Sequence, residues 1–512
     1  MSSAHEPAVA HRAAITVCVV LAAFLEALDG TIANVALPYM QGTMSATQDQ
    51  MGWVLTSYLV AAGITTPATG FLSERLGMTR LLLISVAGFT VCSMLCGVAQ
   101  SLPQIVLFRL LQGVFGAPLI PLSQTVLMNV YPKEQQGSAM AIWSIVVTAG
   151  PAVGSVVGGW LTSAYSWRYV FFVNVPVGVA CFAVLWFFIS SASEKKMPPK
   201  LDWLGFGALS IAIAALQLLL DRGQEKDWFG SSEICIEAIV AVSAFYVFLV
   251  HTFTAEKPFF RPALLRDRNF SAGTLFVTVV GLSFFASLAL QPPYLQGLMG
   301  YPILTTGLVL APSGVALMVA SVVAGRLIGK VDTRLLLATG ISLTAWSFYA
   351  RTGWTPDVAP SAIVINGLFQ GCGIGLLYVP LSVAALSNLS PEIRAEGASF
   401  FTLLRLLGSS VGVAVVNAMI VRNTQINHAD ISPLVTATNP GLLEPAVAHV
   451  LSPFSAAGRA ALDAVVTNQA QVIAYMDDYK MLTFMTLAML PLILAFREPD
   501  WTSASDPAMA LE

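Results

Sequence analysis

Long apolar runs recur fourteen times along the 512 residues, and each can cross about 30 Å of hydrocarbon as a helix of about 20 residues. They fall near 13–37, 52–72, 81–100, 104–130, 138–162, 167–191, 203–221, 233–253, 270–295, 303–326, 335–354, 359–387, 397–420 and 480–497. In lipid every backbone N–H and C=O needs a partner inside the protein, so only helices and closed barrels can span. Barrel strands would alternate polar and apolar residues over about ten positions, and these runs do not. The chain therefore reads as an all-α polytopic membrane protein with fourteen transmembrane helices. Its composition fits, with 56% hydrophobic and 10% charged residues where soluble domains average about 25% charged.

Charge in the connections sets the orientation. Of the 25 Lys and Arg residues, sixteen fall in the connections on the side of Arg12, seven fall on the opposite side, Arg351 and Arg422 among them, and Arg109 and Arg405 lie inside spans. The positive-inside rule then places both termini in the cytoplasm. Residues 1–12 show no cleavable pattern, so the first apolar run reads as a retained signal anchor. All six cysteines lie in or beside apolar runs, and neither a disulfide framework nor a metal site is expected.

The two halves of the chain repeat at an offset of about 254 to 260 residues. Gly70 to Leu83 recurs as Gly325 to Leu337, one residue shorter, with Thr79-Arg80 matched by Thr333-Arg334. Gln112-Gly113 and Pro121-Leu122-Ser123 recur as Gln370-Gly371 and Pro380-Leu381-Ser382. The expected organisation is a six-helix bundle over 1–191, two inserted helices over 192–254, and a second bundle over 255–512 that includes an outer connection at 422–479. Parallel repeats of this kind hold substrate between the halves near the bilayer midplane.

Acidic residues inside a span are costly and mark function. Glu26 and Asp29 lie about 60° apart around the first helix, so both carboxylates can point to one cavity and exchange protons there, with Asp29 the stronger candidate. Asp29-Gly30-Thr31 and Asn34 weaken the helix where a cavity needs access. The pair could instead be solvated at the cytoplasmic mouth or be a structural partner for an arginine. Arg109 shares a helix face with Gln112; a guanidinium stays protonated, so it can hold a carboxylate charged but cannot carry the proton, and a snorkelling position at the helix end is the other reading. Arg405 is a gate or a structural contact. Gln291, Tyr294, Gln370 and Tyr378, with Asn34, Gln112 and Arg405, are the candidates for substrate contact. Gly367 stands where the first half has Arg109, which assigns the charge chemistry to the first half.

Other residues point to movement. Gly150-Pro151, Gly154 and Gly158 space small residues by four, which cuts a groove for close helix packing, while Pro151 bends the helix. Gly70, Glu74, Arg75, Gly77 and Arg80 form a charged connection whose ion pairs could form in one state and break in another. The 422–479 segment is too long for a turn and reads as an ordered cap, a docking segment or a linker.

These motifs together resemble the fourteen-span drug:proton antiporter branch of the major facilitator superfamily, and closely the EmrB-type multidrug exporters. Leu28-Asp29-Gly30-Thr31 through Pro38 resembles the branch's first-helix signature, Gly150-Pro151 with Gly158-Gly159 its antiporter motif, and Arg109 to Gly113 its proton-transfer motif. Gly70 to Arg80 resembles the family's loop motif, with Glu74 in place of the usual Asp and Met78-Thr79 where basic residues are common. Leu220-Asp221-Arg222-Gly223 is similar to the outer junction between the inserted helices of the EmrB type. The resemblance implies efflux of lipophilic compounds against a proton gradient, with no other cofactor. It also implies a periplasmic adaptor protein and an outer-membrane channel as partners, besides membrane lipids; no nucleic acid is expected. A nutrient importer on the same fold is the rival reading. A membrane enzyme is disfavoured because four of the five histidines lie outside the runs, and the chain lacks a nucleotide-binding Gly-Lys-Ser/Thr loop.

Overall fold

The structure, a computed structural model, describes residues 12–46, 48–188, 202–436 and 451–497. The expected cytoplasmic termini and the signal-anchor reading of residues 1–12 fall almost wholly outside the described residues. The first half comprises α1 (Arg12–Met44), α2 (Gln48–Thr65), α3 (Thr69–Leu76), α4 (Met78–Val98), α5 (Leu102–Gly116), α6 (Leu119–Val130), α7 (Lys133–Ala164), α8 (Tyr169–Phe172) and α9 (Asn174–Phe188). Next come α10 (Trp203–Arg222) and α11 (Ser232–Thr254). The remainder is α12 (Arg268–Pro293), α13 (Ile303–Leu327), α14 (Thr333–Arg351), α15 (Pro360–Leu386), α16 (Pro391–Ile431) and α17 (Ala456–Leu487). Eleven helical segments among the described residues are long and apolar enough to cross a membrane. The other three expected spans are helical as well, in α2 with α3, in α7 and in α14.

Local chemistry starts several of these helices. Asp267 accepts a bond from the Phe270 N–H at 2.7 Å, Asp332 from the Arg334 N–H at 2.8 Å, and Ser455 from the Gly458 N–H at 3.0 Å, each satisfying a donor that a helix N-terminus leaves open. Gly77, with φ at +82°, makes the turn from α3 to α4 in a conformation that other residues resist.

The packing repeats as the sequence does. Helix α1 packs on α7, α2 on α5 and α4 on α5, while α12 packs on α16, α13 on α15 and α14 on α15. Helix α10 packs on α2 and pairs with α11, most of whose large apolar side chains remain uncovered. The face at which α1 begins is called here the near face, and the opposite one the far face. The halves meet closely at the near face, where a Cβ on Gly137 of α7 would stand 2.7 Å from the Gly325 carbonyl of α13.

Three expectations need correction. Residues 422–479 are not mainly a connection: α16 runs on to Ile431 and α17 starts at Ala456, because polar residues facing water do not end a helix that a neighbour still supports. The two are tied by Asn427 Nδ2 to the Ala470 carbonyl at 3.3 Å and by His428 Nε2 to Asp463 Oδ1 at 3.0 Å. At about 1.5 Å per residue, the 41 residues of α16 measure about 60 Å, twice the hydrocarbon thickness. Second, α1 is unbroken through Asp29, Gly30, Thr31 and Asn34. Third, Arg351 is not in an outer connection but fully buried at the end of α14.

Candidate functional site

Asp29 and Arg109 are both completely buried and form an ion pair in the first half, between Arg109 Nη1 and Asp29 Oδ2. The other carboxylate oxygen accepts from Gln112 Nε2 and from Asn174 Nδ2, each at 3.0 Å. Arg109 Nη1 also donates to Gln112 Oε1 at 3.0 Å and Nε to the Val54 carbonyl at 3.2 Å, and its guanidinium lies 4.3 Å from the Tyr58 ring centroid. Asn174 is held by Ser93 Oγ at 3.1 Å, and the Ser93 hydroxyl donates to the Phe171 carbonyl at 2.9 Å. Helices α1, α2, α4, α5 and α9 thus converge on one carboxylate. A buried charge needs this density of donors, because it is otherwise strongly disfavoured.

The sequence reading pointed both acids of α1 at one cavity, and the structure separates them. Asp29 faces the interior of the first half, whereas Glu26 is half-buried on the side facing the second half. The Tyr58 hydroxyl stands 3.5 Å from Glu26 Oε1, and the charge of Arg405, on α16, acts on the same carboxylate. Tyr58 consequently touches both acidic environments, its ring under Arg109 and its hydroxyl toward Glu26. Arg405 is half-buried, 5.8 Å from the Phe285 ring centroid. Tyr378 of α15 stacks on Trp143 of α7 across the halves at 6.3 Å. Asn34 is exposed on α1.

The remaining candidates, Gln291, Tyr294 and Gln370, are buried in the second half around a residue that the sequence reading did not select, Arg351. Its Nε donates to Asn366 Oδ1 at 2.7 Å, its Nη1 to Ser287 Oγ at 2.8 Å, and its Nη2 to Gln370 Oε1 at 2.5 Å. Gln291 Nε2 reaches Ser287 Oγ at 3.1 Å and Gln370 Oε1 at 3.3 Å. Buried charge therefore occurs in both halves, against the reading that confined it to the first. The Gly367 comparison missed this because the second-half cation comes from α14 and not from α15.

Glycines hold the first site in place. In α7, a Cβ on Gly150 would stand 2.7 Å from Ala27 Cβ, one on Gly154 2.8 Å from the Leu28 carbonyl, and one on Gly158 2.8 Å from Ile32 Cγ1. All three line the α1 backbone on either side of Asp29. At the near face Glu74 forms an ion pair with Arg261, whose Nε lies 3.3 Å from Glu396 Oε2 and whose backbone N–H donates to Glu396 Oε1 at 2.8 Å. A Cβ on Gly70 would stand 2.7 Å from Glu396 Cα, so α3 rests directly on α16. Arg75 and Arg80 are exposed there. Arg394 adds bonds to Asn129 Oδ1 at 2.6 Å and to the Met128 carbonyl at 3.3 Å, across the same seam. Arg261 lies outside the repeated segments, and none of Arg261, Glu396 and Arg394 is among the sequence candidates.

A two-bundle helical fold with a buried acid–base pair in its first bundle is that of a secondary transporter. The sequence pattern of the Major Facilitator Superfamily matches residues 19–413, and the chain belongs to that superfamily. It is 32% identical to the fatty acid resistance protein FarB of Neisseria gonorrhoeae over 95% of this chain and 96% of that one. It is 35% identical to the multidrug export protein EmrB of Haemophilus influenzae, covering 83% of this chain and 84% of the relative, and 35% identical to EmrB of Escherichia coli K12, covering 83% of each chain. The fold is similar to that of the human organic anion transporter MFSD10, with a TM-score of 0.59 at 12% identity over 94% of this chain and 99% of that one. The proton:xylose symporter XylE shares the fold at a TM-score of 0.55 and 15% identity over 92% and 95% of the two chains.

Proposed function

We propose that this protein exports hydrophobic or amphipathic compounds in exchange for protons, by alternating access of a space between two six-helix bundles, 1–191 and 255–512, separated by the helix pair of 192–254. The observation that carries the reading is the fully buried Asp29–Arg109 pair, in a chain similar over nearly its whole length to proteins named for export and resistance. Asp29 binds the transported proton, and Arg109 holds the carboxylate charged until the proton or substrate arrives. Glu26, on the inter-bundle side and joined to the site through Tyr58, is the route by which a proton reaches Asp29. Tyr378 and Arg405 line the same space and meet the substrate, while Gln291, Tyr294 and Gln370 contribute from the second half.

The near face is cytoplasmic, from the excess of Lys and Arg in its connections. Its contacts Glu74–Arg261–Glu396 and Gly137–Gly325 close the cytoplasmic path in this conformation and must part for loading. The far ends of α16 and α17 form a paired helical projection suited to dock a periplasmic adaptor protein that leads to an outer-membrane channel. Energised everted vesicles test the function. Addition of lipophilic dyes or acids should release lumenal protons from vesicles with the wild-type protein and not from those with Asp29→Asn. Accumulation of substrate along the proton gradient instead of against it would replace the exporter with an importer.

A further inference from the structure

The second half contains a buried acid that this pathway does not use. Asp478 of α17 has no exposed surface, and neither carboxylate oxygen has a hydrogen-bond partner among the described residues. It stands between Tyr475 and Tyr479, both buried in the apolar cluster of Leu290, Phe348 and Val416. The Tyr294 ring meets that of Tyr475 edge-on at 5.3 Å, and its hydroxyl is likewise buried without a partner among the described residues. From α14, Arg351 reaches this cluster, its guanidinium 5.3 Å from the Tyr479 ring centroid. Asp477, the adjacent acid, is engaged outward by Lys480 at 2.9 Å. Helix α12 offers only the neutral Ser287 and Gln291 here. The nearest charged groups that α16 pairs with α17 are His428 and Asp463, farther along toward the helix ends.

The repeat gives this arrangement its meaning. About 258 residues after Asp29 and Gln112 stand Ser287 and Gln370, and about 254 after Ser93 stands Ser347. Ser287 and Gln370 bond Arg351, and the Ser347 hydroxyl donates to Asn366 Oδ1 at 2.9 Å, which itself accepts from Arg351. The second half thus keeps the same polar scaffold but has moved its cation to α14 and its acid to α17. In the first half the acid and cation are joined. In the second, Arg351 is bonded only to neutral groups among the described residues, and Asp478 has no donor. An ionised carboxylate without donors in such a site is strongly disfavoured, whereas the neutral acid costs far less.

We propose that Asp478 is a second proton-binding site: it holds its proton in this conformation and loses it when α17 shifts against α14 and brings the carboxylate to Arg351. The Asp478 O–H bond then breaks, the proton passes to water at the far face, and the remaining carboxylate pairs with a guanidinium already cationic. Nothing is oxidised or reduced. The inference rests on the proton-coupled reading above, and infrared spectroscopy separates the two. Full-length protein in lipid nanodiscs near neutral pH should show a protonated-carboxyl C=O band that Asp478→Asn removes and Asp478→Glu shifts, while Asp29→Asn leaves it in place. A band identical in the wild type and Asp478→Asn overturns the proposal; should the amide variant not fold, an unshifted band in Asp478→Glu does the same. In vesicles, Asp478→Asn should release one proton fewer per substrate, and an unchanged ratio overturns the exchange step. A wild type with no substrate-driven proton release would defeat the coupling reading, while the infrared comparison would still decide the protonation of Asp478.

Discussion

The Leu28 carbonyl lies 2.8 Å from where a Cβ on Gly154 would stand, so α7 touches the α1 backbone one residue before the buried Asp29. Any side chain there must push α1 aside, and Thr31 Oγ1 blocks the alternative direction. Gly154→Ala is expected to cost about 1–3 kcal/mol of stability and to reduce transport at least tenfold, since it displaces the acid from its three donors. Gly159→Ala serves as the control within the same motif, where the nearest atom to an added Cβ is Val35 Cγ1 at 3.8 Å. Equal loss in the two variants, measured by thermal unfolding and dye efflux, would show that the groove does not act through α1.

Arg109→Lys tests the geometry of the ion pair. An ammonium cannot reproduce the fork that bonds Asp29, Gln112 and the Val54 carbonyl together. Efflux should fall at least tenfold although the charge is kept, and near-normal efflux would remove Arg109 from the coupling site. Asp29→Asn should be harsher on folding than an isosteric change suggests. It leaves Arg109 buried without its counter-charge, for which a loss of about 3–5 kcal/mol is typical. Restoration of stability in the double variant Asp29→Asn with Arg109→Gln would identify that stranded charge as the cause.

Hydrophobic run length and the half-to-half repeat made the helical architecture legible, and rarity of charge in lipid pointed to Asp29 and Arg109. What failed was direction around and beyond a helix. Glu26 and Asp29 are three positions apart, yet the close approach of α7 and α9 turns Asp29 inward and leaves Glu26 toward the other half. Arg351 was misplaced because it ends a span, and a chain position at a membrane boundary does not reveal that α12, α15 and α17 close over it. Helices α16 and α17 outrun their apolar stretches because each supports the other, and a hydropathy pattern carries no trace of that pairing.

At the near face, Arg261 links Glu74 of the first half to Glu396 of the second, and both Arg261 and Glu74 are partly exposed. Exposed pairs contribute only about 0.2–1 kcal/mol, enough to change a conformational ratio up to about fivefold without unfolding the protein. Arg261→Ala should therefore raise the accessibility of a cysteine introduced at the inner end of the inter-bundle space, with little change in melting temperature. Arg261→Lys, which keeps a cation between Glu74 and Glu396, should recover part of the wild-type value. No change in labelling with Arg261→Ala would show that these charges do not hold the closed state.

Asp202 supplies a pH dependence outside the transmembrane helices. It caps α10 by accepting from the Gly205 N–H at 3.0 Å, and it also accepts from the Phe259 N–H at 2.9 Å and pairs with His251 Nε2 at 2.9 Å. One carboxylate thereby ties the start of α10, the end of α11 and the segment leading to α12. Burial pushes its carboxyl up, but the Gly205 and Phe259 N–H groups and His251 outweigh that and hold it below its usual range. A depressed value means that the ionised form stabilises the fold. The contribution is complete above the ordinary Asp value of about 3.9 and disappears as pH falls through the lower folded value. Asp202→Ala should cost about 1–2 kcal/mol at neutral pH, in keeping with loss of an N-cap. As pH falls below about 4, the wild-type melting temperature should approach that of the variant, because protonation removes the same interactions. Parallel pH profiles for the two proteins, with a gap that stays constant through acid unfolding, would show that the Asp202 charge does not stabilise this junction.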